Sequence, residues 1–160
     1  MPDPAQPTTL RPATADDEAF LLHLFAGTRP EFDLIDIDEG QKQALIKMQF
    51  NAQRQQYDAG HPAAENSIIM SHGRPIGRLL VDRSEGDIAL IDIALLPDQR
   101  NSGIGTDLIR KLLAEAVGAR KAVRLHVLKT NPALRLYERL GFSRVSDQSM
   151  YFEMKAEPSV

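Results

Sequence analysis

A glycine-containing turn between an apolar strand and an amphipathic helix is the feature of this sequence best suited to chemistry. An apolar segment that begins at Leu90 reaches Pro97 and a polar turn, and Gly103 and Gly105 then open a segment with helical periodicity. The first N–H groups of a helix have no intrahelical partner, and the helix dipole favours anions at that end. Glycines let a phosphate approach the main chain, because no Cβ stands in the way. The turn therefore predicts a site for a phosphate-bearing ligand.

The spacing of this turn excludes two familiar phosphate-binding loops. A dinucleotide fingerprint needs a third glycine where this chain has Leu108, and an acidic residue at the end of the next strand. A nucleotide P-loop needs Gly-Lys followed by Ser or Thr, whereas Thr106 follows Gly105 directly. Neither class of ligand fits the residues.

Composition limits the remaining possibilities. The 160 residues are 26% charged and 42% apolar, as in a soluble globular domain. A net charge of -3 without a Lys/Arg cluster argues against nucleic-acid binding. The absence of cysteine excludes disulfides, thiolate metal sites and a cysteine nucleophile, and we expect no metal. No signal peptide or bilayer-spanning apolar run is apparent, so we expect a cytoplasmic protein with no membrane partner.

The N-terminal part predicts a disordered tail at 1–9 and then one domain at 10–155 that begins with two helices, at about 14–27 and 41–57. The acidic segment 31–39 between the helices predicts a solvated loop. The alternative is a loop that meets a cationic substrate. The apolar stripe predicted for the second helix consists of Leu45, Met48 and Phe50.

The rest of the chain predicts a sheet. Three strands joined by tight turns indicate an antiparallel meander that ends at Leu95. The helix after the glycine turn leads to a strand at 123–128, which should lie parallel to the strand before the turn. A fourth helix and two short strands, 143–145 and 150–154, close the chain. The expected fold is α/β, with a mixed, mostly antiparallel twisted sheet of about six or seven strands flanked by about four helices.

Two motifs in this order carry a resemblance to a known family. The stretch Arg100-Asn101-Ser102-Gly103-Ile104-Gly105 resembles the Gln/Arg-x-x-Gly-x-Gly/Ala signature of the GNAT acetyltransferase superfamily. The stretch from Asn131 to Phe142, with Tyr137 inside it, is similar to the second acetyl-CoA motif of that family. One helix and one strand separate the two motifs, and the resemblance covers roughly Arg11 to Met154.

The resemblance implies that the turn binds acetyl-CoA as a cosubstrate, with backbone N–H groups holding the pyrophosphate. It also implies that the strand before the turn splays from the strand after the helix. Ile93, Ala94 and Leu95 would then bind the pantetheine arm as an added strand, and the Leu95 N–H would stabilise the oxyanion of the tetrahedral intermediate. The residues predicted at the pyrophosphate are Arg100, Asn101, Ser102, Gly103, Ile104, Gly105 and Thr106.

Three side chains acquire chemical roles from the same resemblance. Tyr137 would donate a proton to the departing thiolate, the alternative being a tyrosine that only packs on the sheet. Asn131 would contact the coenzyme or cap the helix, and it lies one residue closer to Tyr137 than in the usual family pattern. His126 occupies a strand position where relatives often place a glutamate. A histidine side chain, with a reference pKa of roughly 6.5, can accept a proton near neutral pH, so His126 is the leading candidate for the general base. A histidine that only makes hydrogen bonds within the sheet is an equal alternative.

Asp92 is the second candidate base. A charge in an apolar strand is rarely buried without a partner, and Arg78 or Arg124 on neighbouring strands could supply one. We rank the structural role of Asp92 ahead of catalysis.

The function implied by the resemblance is acetyl transfer to a primary amine by direct attack in a ternary complex. A small polyamine, an aminoglycoside, an amino acid and a protein amine all remain open as acceptors. The acidic loop leans towards a cationic small molecule. The closing strands make a homodimer possible, because such strands often pair between subunits in this superfamily. The rival functions are a non-catalytic acyl-CoA sensor and an interaction module on the same scaffold.

Overall fold

The computed structural model describes residues 8–84 and 86–158. Four α-helices are present: α1 Glu18–Gly27, α2 Glu39–Gly60, α3 Ile104–Ala119 and α4 Ala133–Arg139. Seven strands are present: β1 Thr9–Pro12, β2 Glu65–Ser71, β3 Arg74–Asp82, β4 Ile88–Leu95, β5 Val123–Leu128, β6 Ser143–Gln148 and β7 Tyr151–Ala156. Most of the tail predicted at 1–9 lies outside the described residues, and its last residue, Thr9, begins β1.

The strands form one sheet in the order β1-β2-β3-β4-β5-β7-β6. β1 pairs antiparallel with β2, and β7 pairs antiparallel with both β5 and β6. The turn between β2 and β3 consists of His72 and Gly73, both with positive φ, and a two-residue loop can join only antiparallel strands. The predicted mixed, mostly antiparallel sheet with about four helices is confirmed.

β4 and β5 form the parallel pair predicted from the sequence. Their ladder joins Ile88 to Val123, Ala89 to Arg124 and Leu90 to Leu125. β5 continues for three residues beyond this ladder, where its pairing is with β7.

The chain divides into two compact units, which we describe separately. The first comprises Met1–Leu80 and Asp92–Arg100. Its helices α1 and α2 share an apolar cluster of Phe25, Phe32, Ile46 and Phe50, with the Phe25 and Phe50 rings 5.7 Å apart. The prediction that Met48 belongs to the apolar stripe was wrong. Met48 is 61% exposed, whereas Ile46 is buried on the helix face that also carries Phe50, which was correctly predicted to belong to the stripe.

Polar caps begin the helices of the first unit. The Asp38 side chain accepts a hydrogen bond from the Gln41 N–H at the start of α2, so the helix begins two residues earlier than predicted. Before α1, Asp17 accepts hydrogen bonds from the Thr14 N–H at 2.8 Å and from both terminal nitrogens of Arg11 at 2.8 Å. Asp17 is therefore a buried acid whose charge is balanced by Arg11.

The second unit comprises Val81–Ile91 and Asn101–Val160. Its buried strand residues include the directly paired Ile88 and Val123, and Leu125 opposite Met154. α3 packs against β5. In the described part of either unit, no helix is both long and apolar enough to cross a bilayer.

Candidate active site

The glycine turn of the second unit leads into the start of α3, where backbone N–H groups are available as donors. Gly103 is the N-cap of α3, with φ of 86°, and no side chain caps the helix. The Asp107 N–H donates to the Gly103 carbonyl at 3.0 Å, which starts the helical ladder. The N–H groups of Ile104, Gly105 and Thr106 precede that bond and so have no intrahelical acceptor.

Space beside this turn is open. A Cβ built on Gly103 would meet no heavy atom of residues 8–84 and 86–158 within 4 Å. Asn101 also has positive φ, 60°, a conformation that asparagine tolerates better than most residues. Free donors, the positive end of a helix and an uncrowded glycine are what a phosphate group requires. The residues therefore fit the pyrophosphate predicted for them.

The C-terminal end of β4 belongs to the first unit and is held by a main-chain hydrogen bond and by the Arg100 side chain. The Leu96 N–H donates to the Ile76 carbonyl at 2.8 Å. The Arg100 guanidinium donates from Nε to the Leu95 carbonyl at 3.0 Å and from Nη2 to the Gly27 carbonyl at 3.4 Å. The Arg100 side chain, predicted at the pyrophosphate, thus braces the end of β4 against the end of α1.

Gly77 on β3 lets β4 come close, and sequence reasoning missed it. A Cβ at this position would lie 2.3 Å from the Ala94 carbonyl oxygen and 2.9 Å from Leu95 Cδ2. A contact of that length with the backbone is not possible for a real side chain. Gly77 therefore shapes the segment Ile93–Leu95, which is the segment predicted to bind the pantetheine arm. A lone glycine inside an apolar strand was the available signal.

Tyr137 and Asn131 flank α4 in the second unit. Tyr137 is buried, and its ring meets that of Phe142 edge to face at 5.8 Å. The Asn131 side-chain oxygen accepts a hydrogen bond from the Ala133 N–H at 2.9 Å. Asn131 was predicted either to contact the coenzyme or to cap the helix, and this hydrogen bond is a capping interaction.

His126 lies on β5 directly opposite Glu153 on β7. Its side chain is 55% exposed, and its Nε2 is 3.5 Å from the Glu153 carboxylate. Glu153 also lies 3.4 Å from the Arg124 guanidinium, which donates to Asp87 at 2.7 Å. The hydrogen bond from Arg124 lowers the pKa of Asp87. His126 is thus solvent-accessible and beside a carboxylate that can receive its N–H.

Asp92 pairs with Arg78 within the first unit. The Arg78 Nη2 donates to Asp92 Oδ2, and the side chains are only 12% and 28% exposed. The Arg78 guanidinium also lies over the Tyr57 ring, 5.9 Å from its centroid. The sequence left Arg78 and Arg124 open as the partner, and the structure selects Arg78.

A cavity of about 370 Å³ lies in the first unit, and Arg78 of this pair is one of its lining residues. Leu21, Phe50 and Leu80 give it apolar walls. Sequence reasoning did not foresee the cavity, although the polar face of α2 was a weak signal. The polar residues that line it include Glu18, Gln53, Arg54, Tyr57, Asp58 and Arg78.

The acidic segment between α1 and α2 uses several of its carboxylates locally. Asp33 accepts a hydrogen bond from the Lys42 ammonium, and Glu39 accepts one from the Gln43 side-chain amide. The Asp38 carboxylate caps α2. These bonds weaken its case as a cation-attracting loop. Among the described residues, no group of three or more His, Asp or Glu side chains is placed to hold a metal ion.

Solved structures share this fold. The PaiA N-acetyltransferase from Thermoplasma acidophilum, in complex with coenzyme A, superposes with a TM-score of 0.70 at 14% identity over 94% of this chain and 98% of its own. A GNAT acetyltransferase from Elizabethkingia anophelis with acetyl-CoA bound gives 0.59 at 16%, covering 94% and 97%. The ribosomal-protein-S18-alanine N-acetyltransferase from Escherichia coli gives 0.62 at 17%, covering 96% and 95%.

Similarity at this level establishes the fold, and a family model carries the assignment further. The model of the acetyltransferase (GNAT) family matches residues 30–142, which include the glycine turn, β5 and Tyr137. The residues of the turn fit the phosphate chemistry that this family requires. The chain is therefore an acyltransferase that belongs to the GNAT acetyltransferase family.

Proposed function

We propose that the protein transfers the acetyl group of acetyl-CoA to a primary amine by direct attack in a ternary complex. The observation that carries this proposal is the start of α3, where three N–H groups precede the helical ladder beside an open Gly103. Such donors favour a pyrophosphate over a neutral ligand. The pyrophosphate is assigned to the main chain of Asn101–Thr106, with Arg100 holding the preceding strand end in place.

The pantetheine arm is assigned to Ile93, Ala94 and Leu95, which would bind it through main-chain groups. The Leu95 N–H is assigned to the negative charge that develops on the thioester oxygen, where a fixed donor lowers the barrier. The close approach of β4 to Gly77 supports this assignment, because it limits the positions that the strand can adopt.

Acetyl-CoA supplies an activated acyl group, and side chains of the protein accept and donate the protons that the reaction moves. In the transfer, a nitrogen–carbon bond forms, the carbon–sulfur bond breaks and the ammonium form of the acceptor loses two protons. We assign the first proton to His126, whose exposed imidazole has the Glu153 carboxylate beside it. We assign to Tyr137 the delivery of a proton to the departing sulfur, and the second proton of the acceptor nitrogen passes through water to restore the Tyr137 phenol. Asn131 is assigned to the coenzyme through groups that its cap bond leaves free.

The rival functions on this scaffold differ in turnover. A non-catalytic sensor would bind acetyl-CoA and transfer nothing, and an interaction module would bind no coenzyme. Membership of an acetyltransferase family and the presence of Tyr137 favour the enzyme. We further propose a cytoplasmic location. A homodimer through the closing strands is also proposed, since Val145, Met150 and Tyr151 are exposed there.

The experiment that tests this proposal has two stages. Calorimetric titration with acetyl-CoA measures coenzyme binding, and release of free thiol is then followed with a panel of primary amines. We expect saturable binding and an amine-dependent rate above the hydrolysis seen without amine. An absence of acetyl-CoA affinity would contradict the proposal, and binding without turnover on any amine would favour the sensor.

A further inference from the structure

The pair formed by Arg78 and Asp92 has unused hydrogen-bonding capacity on both partners. Arg78 has five N–H donors, and within the described part of the chain Asp92 is the acceptor that they reach. Asp92 uses Oδ2 for that bond, and the described residues place no donor on its Oδ1. Because both side chains are largely shielded from water, these unfilled positions favour a polar ligand.

The second arginine that lines the cavity, Arg54, does not offer the same opportunity. Arg54 donates to Glu18 at 3.1 Å and to Asn51, so the charge of Arg54 is already matched. Both members of that ion pair are about half exposed to solvent, which reduces its strength. Arg78 is therefore the deep cation of the cavity, and Arg54 belongs to its rim.

We propose that the acceptor binds in the cavity that Arg78 lines, against Arg78 and its partner Asp92, and that the acceptor is an α-amino acid with an apolar side chain. An α-amino acid carries a carboxylate for the free donors of Arg78 and an ammonium for Asp92 Oδ1, only two bonds apart. Leu21, Phe50 and Leu80 would receive the side chain. This inference rests on the proposed acetyl transfer.

The chemistry of the pair disfavours the other acceptors. A polyamine brings only donors, so the N–H groups of Arg78 would stay unfilled and a second cation would lie beside them. An acid without an amine would leave Asp92 facing a like charge. The α-amino acid satisfies both partners, and Asp92 immediately precedes Ile93. The amino group would therefore lie at the beginning of the segment assigned to the pantetheine arm.

The test compares ligands with one carbon skeleton on the full-length protein without coenzyme. The probes are L-leucine, 3-methylbutylamine, which lacks the carboxylate, and 4-methylpentanoate, which lacks the amine. L-phenylalanine, 2-phenylethylamine and 3-phenylpropanoate form a second set. In at least one set, we expect the amino acid to bind at least about tenfold more tightly than either partial ligand, the usual loss for one charge-assisted hydrogen bond.

Variants locate the preference in the pair. Arg78→Gln should remove the preference for the amino acid over the amine, and Asp92→Asn should remove the preference over the acid. Arg54→Gln is the matched control, because it removes a cation at the rim of the same cavity, and it should retain both preferences. If a single variant fails to fold, the double variant Arg78→Gln/Asp92→Asn, which leaves no unpaired charge, replaces it. The comparison of ligands on the wild-type protein tests the inference without any variant.

The outcomes separate this inference from the acetyl-transfer proposal. An undetectable affinity for both amino acids at millimolar concentration would overturn the inference, as would amines or spermidine that bind as tightly. Acetyl-CoA titration of the same samples judges the coenzyme site independently. A protein that binds acetyl-CoA and acetylates spermidine rather than leucine would refute the inference and leave acetyl transfer intact.

Discussion

The carbonyl oxygen of Ala94 lies 2.3 Å from the position that a Cβ on Gly77 would occupy. β3 and β4 therefore approach each other at this point more closely than any side chain on Gly77 permits. The segment that follows on β4 carries Leu95, to which we assign the oxyanion donor. The position of that donor depends on the absence of one methyl group on the neighbouring strand.

Gly77→Ala should destabilise the protein by about 1–3 kcal/mol, because the backbone must shift to admit the methyl group. Urea unfolding measures this effect. Gly118→Ala is the matched control, since Gly118 lies on α3 with nothing within 4 Å of its Cβ position, and it should stabilise the helix by roughly 0.5–1 kcal/mol. Equal unfolding midpoints for the two variants would show that the space between β3 and β4 can accommodate a methyl group at position 77.

Asn101→Asp should weaken acetyl-CoA binding about tenfold through charge repulsion of the pyrophosphate. The substitution keeps the size of the side chain, and aspartate tolerates the positive φ of this residue. Gln55→Glu, on the exposed face of α2, adds the same charge at a distant sequence position and should leave the affinity unchanged. Calorimetry on both variants at low and high salt checks the result. Equal affinities would remove the turn from the pyrophosphate site.

Tyr137→Phe should lower kcat about ten- to a hundredfold while acetyl-CoA affinity changes little, because the hydroxyl acts on the departing sulfur. The ring contact with Phe142 is retained, so the fold should persist. Tyr151→Phe removes a hydroxyl from an exposed tyrosine and should leave kcat unchanged. A kcat for Tyr137→Phe within twofold of the wild-type value would exclude Tyr137 as the proton donor and show that its role is packing.

His126→Gln should flatten the acidic limb of the pH–rate profile, since the general base must be deprotonated to accept a proton. The same substitution at the exposed His23 on α1 is the control and should preserve the limb. The measurement is kcat/KM as a function of pH with a saturating acetyl-CoA concentration. A profile for His126→Gln that matches the wild type would exclude this histidine from proton transfer.

Asp17→Asn should lower stability at neutral pH, and the deficit should disappear in acid. Hydrogen bonds from Arg11 and from the Thr14 N–H hold the pKa of Asp17 well below its usual range. A lowered folded-state pKa contributes stability above the unfolded pKa of about 3.9, and this stability is lost as the pH falls through the folded-state value. Urea midpoints from pH 7 downwards should therefore converge for variant and wild type, whereas Asp16→Asn should change little at any pH. A deficit that stays constant with pH would contradict the assignment.

Local patterns predicted the elements that carry the coenzyme motifs. β5 begins and ends where the sequence indicated, and β4 ends at the predicted Leu95, because each is an apolar run bounded by a turn. α2 begins earlier than predicted because Asp38 and Gln41 form a capping box ahead of the apolar pattern. Met48 was misassigned because neighbouring helical positions can satisfy a similar spacing, and only tertiary packing selects Ile46 over Met48 as the companion of Phe50.

Non-local contacts account for what sequence reasoning missed. Arg78 was named only as one possible partner of Asp92, because the two residues are fourteen positions apart and only the folded sheet shows which side chains meet. The contact of the Arg78 guanidinium with the Tyr57 ring is non-local in the same way. The cavity likewise needs α1, α2, β2 and β3 assembled before any lining residue can be recognised. The Arg100 signature was visible in the sequence, but its bonds to two carbonyls were not.

Those two Arg100 bonds have a mechanical consequence. One rigid guanidinium holds the Leu95 and Gly27 carbonyls, so neither strand end nor helix end can move without displacing the other or losing a bond. A change in the mobility of the end of β4 should therefore alter the mobility of the C-terminal end of α1. Amide hydrogen exchange at Thr28 and Arg29, whose N–H groups close the last turn of α1, should slow when acetyl-CoA fixes the end of β4.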